Sequence, residues 1–155
     1  MGQIILSFLA ISPMLWRSDW LWGLPLIVLT VVVHVAGLVF IKGVAERVYM
    51  HMIVRNRPTV SVVAITGGAA LLATCLHATE AGMWALAYRF IGALPDGKTA
   101  MLYSLNAITS YGHVNSFLEE HWQLMGAIEA LNGWLLFGLT AAFLFVIVEK
   151  VWSRL

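Results

Sequence analysis

The sequence predicts an all-α membrane protein with three transmembrane helices. Of the 155 residues, 61% are hydrophobic and only 11% are charged, and the mean hydropathy is +0.86. A composition this apolar is typical of small polytopic membrane proteins rather than of soluble domains. Three apolar runs are each long enough for a helix of about 20 residues, which is the length needed to cross a hydrocarbon core of ~30 Å.

The amino-terminal segment, residues 3–16, is apolar but too short to cross a bilayer by itself. It has neither the charged start nor the small-residue cleavage site of a signal peptide. We therefore expect residues 1–22 to form an interfacial or half-inserted segment, with Trp16, Trp20 and Trp22 at the level of the lipid headgroups, where indole rings are enriched.

The first two spanning helices are predicted before and after a basic linker. The first runs from Leu24 to Ile41 and begins near Pro25, a residue that the first turn of a helix tolerates. Residues 42–58 form the linker, so residues 23–58 make up a helix-plus-linker segment. Residues 59–155 form the remaining domain, in which the second spanning helix runs from residue 60 to about residue 91. Its glycine pair, residues 67 and 68, is expected to let another helix approach closely.

A short amphipathic run, a small polar segment and a third apolar run follow. The short helix is predicted over Lys98–Ile108, the polar segment over Thr109–Asn115, and the third spanning helix over Leu124–Val148. Glu119 and Glu120 lie between the polar segment and the third span. A helix too short to span, a small polar loop and then a spanning helix is a pattern typical of a pore.

The distribution of basic residues predicts the orientation. Six of the nine Lys and Arg residues lie in the 42–58 linker and in the tail after Val148. Cytoplasmic loops carry an excess of Lys and Arg, so both segments are expected in the cytoplasm. Three spans then place the amino terminus, residues 92–98 and residues 115–121 outside.

Several motifs resemble those of bacterial potassium-channel-like pore-loop proteins over roughly residues 30 to 150. The sequence AMLYS at 100–104 followed by TSYGHVN at 109–115 resembles the pore helix and filter of that family, in which the filter commonly reads Thr-Thr-Leu-Gly-Tyr-Gly-Asp. Gly112 keeps the first glycine, whereas His113, Val114 and Asn115 replace the Tyr-Gly-Asp that follows it. The flanking matches are HATE at 77–80, WALAY at 84–88, Trp122, EALNG at 129–133 and TAAFLF at 140–145.

The resemblance implies a homotetrameric cation channel in a bacterial inner membrane, with one extra amino-terminal span and a re-entrant pore helix. Backbone oxygens of the filter would replace the water around K⁺ or Na⁺ at a shared axis, and no other cofactor or metal is expected. The filter residues would be Thr109, Ser110, Tyr111, Gly112, His113, Val114 and Asn115. A β-branched valine in place of the second glycine predicts weak selectivity. A histidine in the ion path predicts less flux at low external pH.

Further candidate residues lie around this filter. Glu119 and Glu120 would gather cations at the outer mouth, the alternative being an ordinary solvated loop. Gly133 is either a hinge of the inner helix, as the resemblance implies, or a point of close packing against the short helix. The candidates for lining the inner cavity share helical spacing on the third span and are Asn132, Leu136, Thr140 and Phe143.

Three polar residues in the spans are expected to form a buried network. His77 and Glu80 are three residues apart on one helix and can therefore meet. Glu129 lies on the third span, where it could bond backbone behind the filter. Buried polar groups at membrane depth are expensive unless they are paired. A structural hydrogen-bond network is the favoured interpretation, with proton sensing as the alternative.

Other functional classes receive less support. Scattered basic residues and a net charge of +1 argue against nucleic-acid binding. The single cysteine, Cys75, argues against a disulfide or a thiolate metal site. The sequence shows no nucleophile–base pair, phosphate-binding loop or metal cluster, so an enzyme is not expected. The predicted partners are lipid and identical subunits, with no soluble substrate. Two alternatives remain: a non-conducting accessory membrane protein, and a membrane haem protein that uses His34 and His77 as axial ligands.

Overall fold

The computed structural model describes residues 17–53, 58–112 and 118–152, and every regular element in these ranges is helical. The elements are α1 (Arg17–Ile53), α2 (Pro58–Phe90), α3 (Gly97–Ile108) and α4 (Gln123–Trp152), with a 3₁₀ turn at Glu120–Trp122. Helices α1, α2 and α4 are long and apolar enough to cross a membrane. The predicted all-α class is therefore confirmed, and so is the presence of three helices with the length and apolar composition of a membrane span. The predicted segment 3–16 lies outside the described residues.

Helix α1 is longer than the predicted first span. Its 37 residues extend for about 55 Å at 1.5 Å per residue, which exceeds a hydrocarbon core of ~30 Å. The helix continues through Lys42 to Ile53, where the sequence predicted a linker. Apolar residues on its inner side explain this continuation, because Ala45 is buried in a cluster with Ile65 and Ile147. Pro25 lies inside α1 rather than in its first turn.

The chain forms two compact units, to both of which the long helices contribute residues. The first unit comprises the chain up to Leu29 together with Ala81–Gly133. Its core is aromatic: Trp84 and Tyr88 are fully buried, and the ring of Tyr88 meets that of Tyr103 edge to face, with 5.3 Å between their centroids. Such a pair contributes about 0.5–1.5 kcal/mol beyond its buried area.

The second unit comprises Thr30–Glu80 and Trp134–Leu155. Small residues bring its helices together, because Ala69 and Ala73 of α2 pack in one buried cluster with Leu38 and Ile41 of α1. Gly37 also permits close packing, since a Cβ at this position would lie 2.5 Å from a methyl group of Leu76. No described atom lies within 4 Å of a Cβ built on either glycine of the pair 67–68, so the described helices of this chain do not make the close approach predicted there.

Candidate functional site

Helix α3 begins at a side-chain cap in the first unit. Asp96 precedes the helix in an extended conformation, and one oxygen of its carboxylate accepts a 2.9 Å hydrogen bond from the backbone N–H of Thr99. The hydroxyl of Thr99 donates to the other oxygen at 2.7 Å. These bonds from the Thr99 side chain and backbone lower the pKa of Asp96 below its ordinary value. The charged cap therefore fixes where this short helix starts.

Helix α3 ends in a turn that satisfies its last carbonyl groups. The N–H of Ser110 donates to the carbonyl of Ala107, and the N–H of Tyr111 donates to that of Asn106, both at 2.9 Å. This is the hydrogen-bond pattern of a Schellman motif, which needs a residue in the left-handed conformation. Ser110 takes that position with φ of 54°, although glycine is the usual occupant.

The segment that follows α3, residues 109–112, is exposed in the chain. The Tyr111 side chain is 80% exposed, and Gly112 has a φ of 95°, in the region that favours glycine. The predicted filter residues 113–115 lie outside the described residues, as does the side chain of Glu120. Glu119 is exposed and lies 3.6 Å from a ring nitrogen of His121. An exposed turn with two positive-φ residues therefore joins the short helix to the segment before α4.

Gly133 of α4 meets the carboxyl end of α3. A Cβ built on Gly133 would overlap the carbonyl oxygen of Ile108 and would lie 2.8 Å from its carbonyl carbon. Gly126, about two helical turns closer to the start of α4, likewise makes room for the hydroxyl of Tyr103. Of the two interpretations of Gly133, close packing is what the geometry shows in this conformation, and the helix runs unbroken through it.

Glu129 is fully buried behind α3 and joins three helices. The hydroxyl of Tyr88 donates to one of its oxygens at 2.7 Å, and its other oxygen makes a very short hydrogen bond with Ser104. Ser104 also donates to the carbonyl of Ala81 at 2.6 Å. A serine hydroxyl has one hydrogen, so Ser104 either shares it between the Ala81 carbonyl and Glu129, or donates it to the carbonyl and accepts one from a protonated Glu129.

The second unit contains a separate polar cluster, which we call the His–Glu cluster and which consists of His34, His77, Glu80 and Thr140. His34 Nδ1 lies 2.8 Å from Glu80 Oε1, and His77 Nδ1 lies 3.2 Å from Glu80 Oε2. Thr140 Oγ1 lies 3.0 Å from His77 Nε2 and 3.2 Å from His34 Nε2. One carboxylate and one hydroxyl thus bridge the same two imidazoles from opposite sides.

The predicted polar network is therefore divided between two places. His77 and Glu80 meet, as their spacing indicates, but Glu129 bonds to Tyr88 and Ser104 in the first unit. The haem alternative does not fit the cluster. The rings of His34 and His77 have centroids only 5.2 Å apart and share their bridging partners, so no porphyrin plane can lie between them.

The structure also differs from the predicted cavity lining. Asn132 and Leu136 are fully buried in the chain, Thr140 is 8% exposed, and Phe143 is half-buried. These side chains point into the protein, because their helical face is the one that packs on the rest of the chain. The residues that α4 leaves exposed on another face include Trp134, Phe137, Ala141 and Phe145.

Sequence reasoning missed three partners that the tertiary structure supplies. His34 was considered only as a haem ligand, and Tyr88 was considered only as part of a family motif. Asp19 was not considered, yet its buried carboxylate accepts a 3.0 Å hydrogen bond from the backbone N–H of Met125. Met125 lies in the first turn of α4, whose free N–H groups need such acceptors. The position of Asp19, an acidic residue at the edge of an apolar run, was the feature of the sequence that could have indicated this role.

Comparisons with protein-family models, curated proteins and solved structures give no match to this chain.

Proposed function

We propose that this chain is the subunit of a homotetrameric channel that conducts monovalent cations passively. One observation carries the proposal: a capped helix of 12 residues, too short to span, lies in sequence between two spanning helices and ends in an exposed turn. Twelve helical residues extend for about 18 Å, well below the ~30 Å hydrocarbon core. The family resemblance of this stretch adds to the argument.

The exposed turn explains why an assembly is required. Backbone outside regular structure is tolerated at membrane depth only where it is buried in protein or lines water. Residues 109–112 are all exposed in the single chain, so a membrane location calls for neighbouring subunits around them. Four copies facing one axis would supply carbonyl and hydroxyl oxygens to a dehydrated cation. The carboxyl ends of four α3 helices would add a partial negative charge near that axis.

The inner cavity of such a channel would be lined by the exposed face of α4. Trp134 is 71% exposed and Phe145 is 69% exposed, and both lie on one helical face with Phe137 and Ala141. This set replaces Asn132, Leu136 and Thr140, whose burial leaves them no access to an open cavity. Aromatic ring faces attract a cation by about 0.5–1 kcal/mol at exposed sites, and conduction needs binding that is weak enough for the ion to leave.

The orientation follows from the basic residues. We place residues 42–58 and the carboxyl-terminal tail in the cytoplasm of a bacterial cell, and the turn after α3 towards the outside. Glu119 and Glu120 then lie on the outer side, where eight carboxylates per tetramer would concentrate cations. Replacing both by Gln should lower flux at low ionic strength and have little effect near 1 M salt, where the Debye length is about 3 Å.

The decisive experiment is ion flux in proteoliposomes with a matched pair of glycine variants. Gly112 and Gly92 both have positive φ, 95° and 73°, and no atom of the described residues lies within 4 Å of a Cβ on either. Alanine should therefore introduce a similar backbone strain of roughly 1–2 kcal/mol at each position. Gly112→Ala should reduce K⁺ flux to near background because it changes the conducting turn, whereas Gly92→Ala should retain most of the wild-type flux.

Flux of K⁺, Na⁺ and a larger organic cation through the unmodified protein tests the selectivity of the proposed channel. Comparable K⁺ and Na⁺ flux with exclusion of the larger cation is expected from a shortened filter. We also expect the mass of the native protein in detergent to be that of a tetramer. No flux in any of these assays, or equal loss in the two glycine variants, contradicts the channel proposal and leaves the non-conducting accessory protein.

A further inference from the structure

We propose that His34, His77 and Glu80 bind a divalent transition-metal ion of the Zn²⁺ type. Their ligand atoms all lie within 4.8 Å of one another, and the three side chains come from α1 and α2 in the second unit. Two imidazoles and one carboxylate form a ligand set that zinc and iron sites use, with a further position left open. This site is independent of ion conduction.

The first line of evidence is a pair of buried atoms without hydrogen bonds. Among the described residues, His77 Nδ1 and Glu80 Oε2 lack a hydrogen-bond partner, although they face each other at 3.2 Å. Their alignment is too poor for a hydrogen bond at that distance. Two ligands of one tetrahedral zinc ion, each bonded at about 2.0–2.1 Å, lie about 3.3 Å apart. The separation of this pair is therefore the one that a shared metal ion requires.

The second line of evidence is a count of hydrogens in the His–Glu cluster. If His34 carries its hydrogen on Nδ1 and His77 carries its hydrogen on Nε2, His34 donates to Glu80, His77 donates to the Thr140 hydroxyl, and that hydroxyl donates to His34 Nε2. These three hydrogen bonds leave His77 Nδ1 as a lone pair that faces Glu80 Oε2 at 3.2 Å. Two buried acceptors that face each other need a cation or a proton between them.

A metal ion can satisfy these two facing atoms. It would bind both Nδ1 atoms and the carboxylate, with the hydrogen of His34 moved to Nε2, so that the Thr140 hydroxyl accepts both Nε2–H groups at 3.0 and 3.2 Å. A hydrogen-bond acceptor behind each ligating imidazole is the usual arrangement, because it fixes the tautomer and the ring orientation. A proton between the two atoms would need a His77–Glu80 hydrogen bond, and that pair is not aligned for one.

Charge and access also fit a cation. Glu80 is 0% exposed within a spanning helix, where a carboxylate is expensive without a positive partner. The described part of the chain shows only the two imidazoles as titratable partners of this carboxylate. His77 keeps 11% of its side chain exposed, which gives an ion a route to the ligands.

The test is Co²⁺ binding to the purified full chain in detergent after treatment with a chelator. Wild-type protein should bind about one Co²⁺ per chain with visible d–d absorption bands of a four- or five-coordinate site, and Zn²⁺ should displace it. Glu80→Gln and His34→Asn should each weaken binding more than about 100-fold. Thr140→Val should weaken it by about 10- to 100-fold, because it removes the acceptor behind both imidazoles.

Two further variants keep the test decisive. His51→Asn is the matched control, since His51 is exposed on the same helix as His34 and should not alter Co²⁺ binding. His77→Cys retains a ligand and should add a thiolate-to-cobalt charge-transfer band, even if Glu80→Gln does not fold. Wild-type protein without d–d bands, wild-type affinity in His34→Asn, or no charge-transfer band in folded His77→Cys would each overturn the proposal.

Discussion

Alanine at Gly133 should destabilise the protein, whereas alanine at Gly138, five residues further along the same helix, should not. Both glycines lie inside α4, where Gly→Ala ordinarily adds about 0.5–1 kcal/mol of helix stability. A Cβ at Gly138 would meet no described atom within 4 Å. A Cβ at Gly133 would overlap the Ile108 carbonyl oxygen, and it would lie 3.0 Å from the Cα of that residue.

The expected loss of stability depends on which atoms must move to make room for the new Cβ. The contacted atoms at Gly133 belong to backbone, so no side-chain rotation can relieve the overlap. The helix contribution is common to both variants and cancels, which leaves the cost of overpacking, about 1–3 kcal/mol, as the difference between them. Because Ile108 ends α3, the same displacement should disturb the exposed turn at residues 109–112.

Thermal or denaturant unfolding in one detergent, followed by tryptophan fluorescence and circular dichroism, measures this difference. Gly138→Ala should unfold at or slightly above the wild-type midpoint, and Gly133→Ala clearly below it. Equal stability of the two variants would refute the close contact between α4 and the carboxyl end of α3. A Gly133→Ala protein of normal stability but altered flux would favour the hinge interpretation instead.

Three further predictions concern single groups. Glu129→Gln should preserve stability because an amide can donate to Ser104 and accept from the buried tyrosine, whereas Glu129→Leu should cost about 1–3 kcal/mol through the unsatisfied hydroxyl. Equal unfolding midpoints of the two variants would contradict a stabilising role of these buried hydrogen bonds. The pKa of Asp96 is lowered in the folded protein, so the stability that its charged cap adds to the fold is fully present above the ordinary pKa of an aspartate. That stability is lost as the pH falls through the lowered pKa. The stability advantage of wild type over Asp96→Ala should accordingly narrow below about pH 4, and a constant difference between pH 7 and 3 would argue against a charged cap. Single cysteines at Asp96 and Arg47, in a Cys75→Ala background, should react with an impermeant thiol reagent from opposite sides of the membrane, and labelling of both from one side would reject the orientation.

The helices could largely be predicted from the sequence because their causes are local. The second span was expected from residue 60 to about 91 and is found at Pro58–Phe90, and the short helix was expected at Lys98–Ile108 and is found at Gly97–Ile108. An apolar run of spanning length determines the second span. An aspartate cap together with an amphipathic run determines the short helix. The end of α1 was missed, because a basic segment was taken for a linker although its inner side continues the apolar helical pattern.

The partners of the polar residues were decided by the tertiary structure alone. His34 meets Glu80 across 46 residues of sequence, and Asp19 meets Met125 across 106. Glu129 was expected to bond backbone behind the filter and instead bonds two side chains, and Asn132 and Leu136 were expected on the exposed face and are buried. Which side chains meet depends on how each helix is rotated about its axis. The sequence of an apolar spanning helix gives little indication of that rotation. In a bilayer the lipid-facing side is as apolar as the packed side, so the contrast that reveals the buried face of a soluble helix is missing.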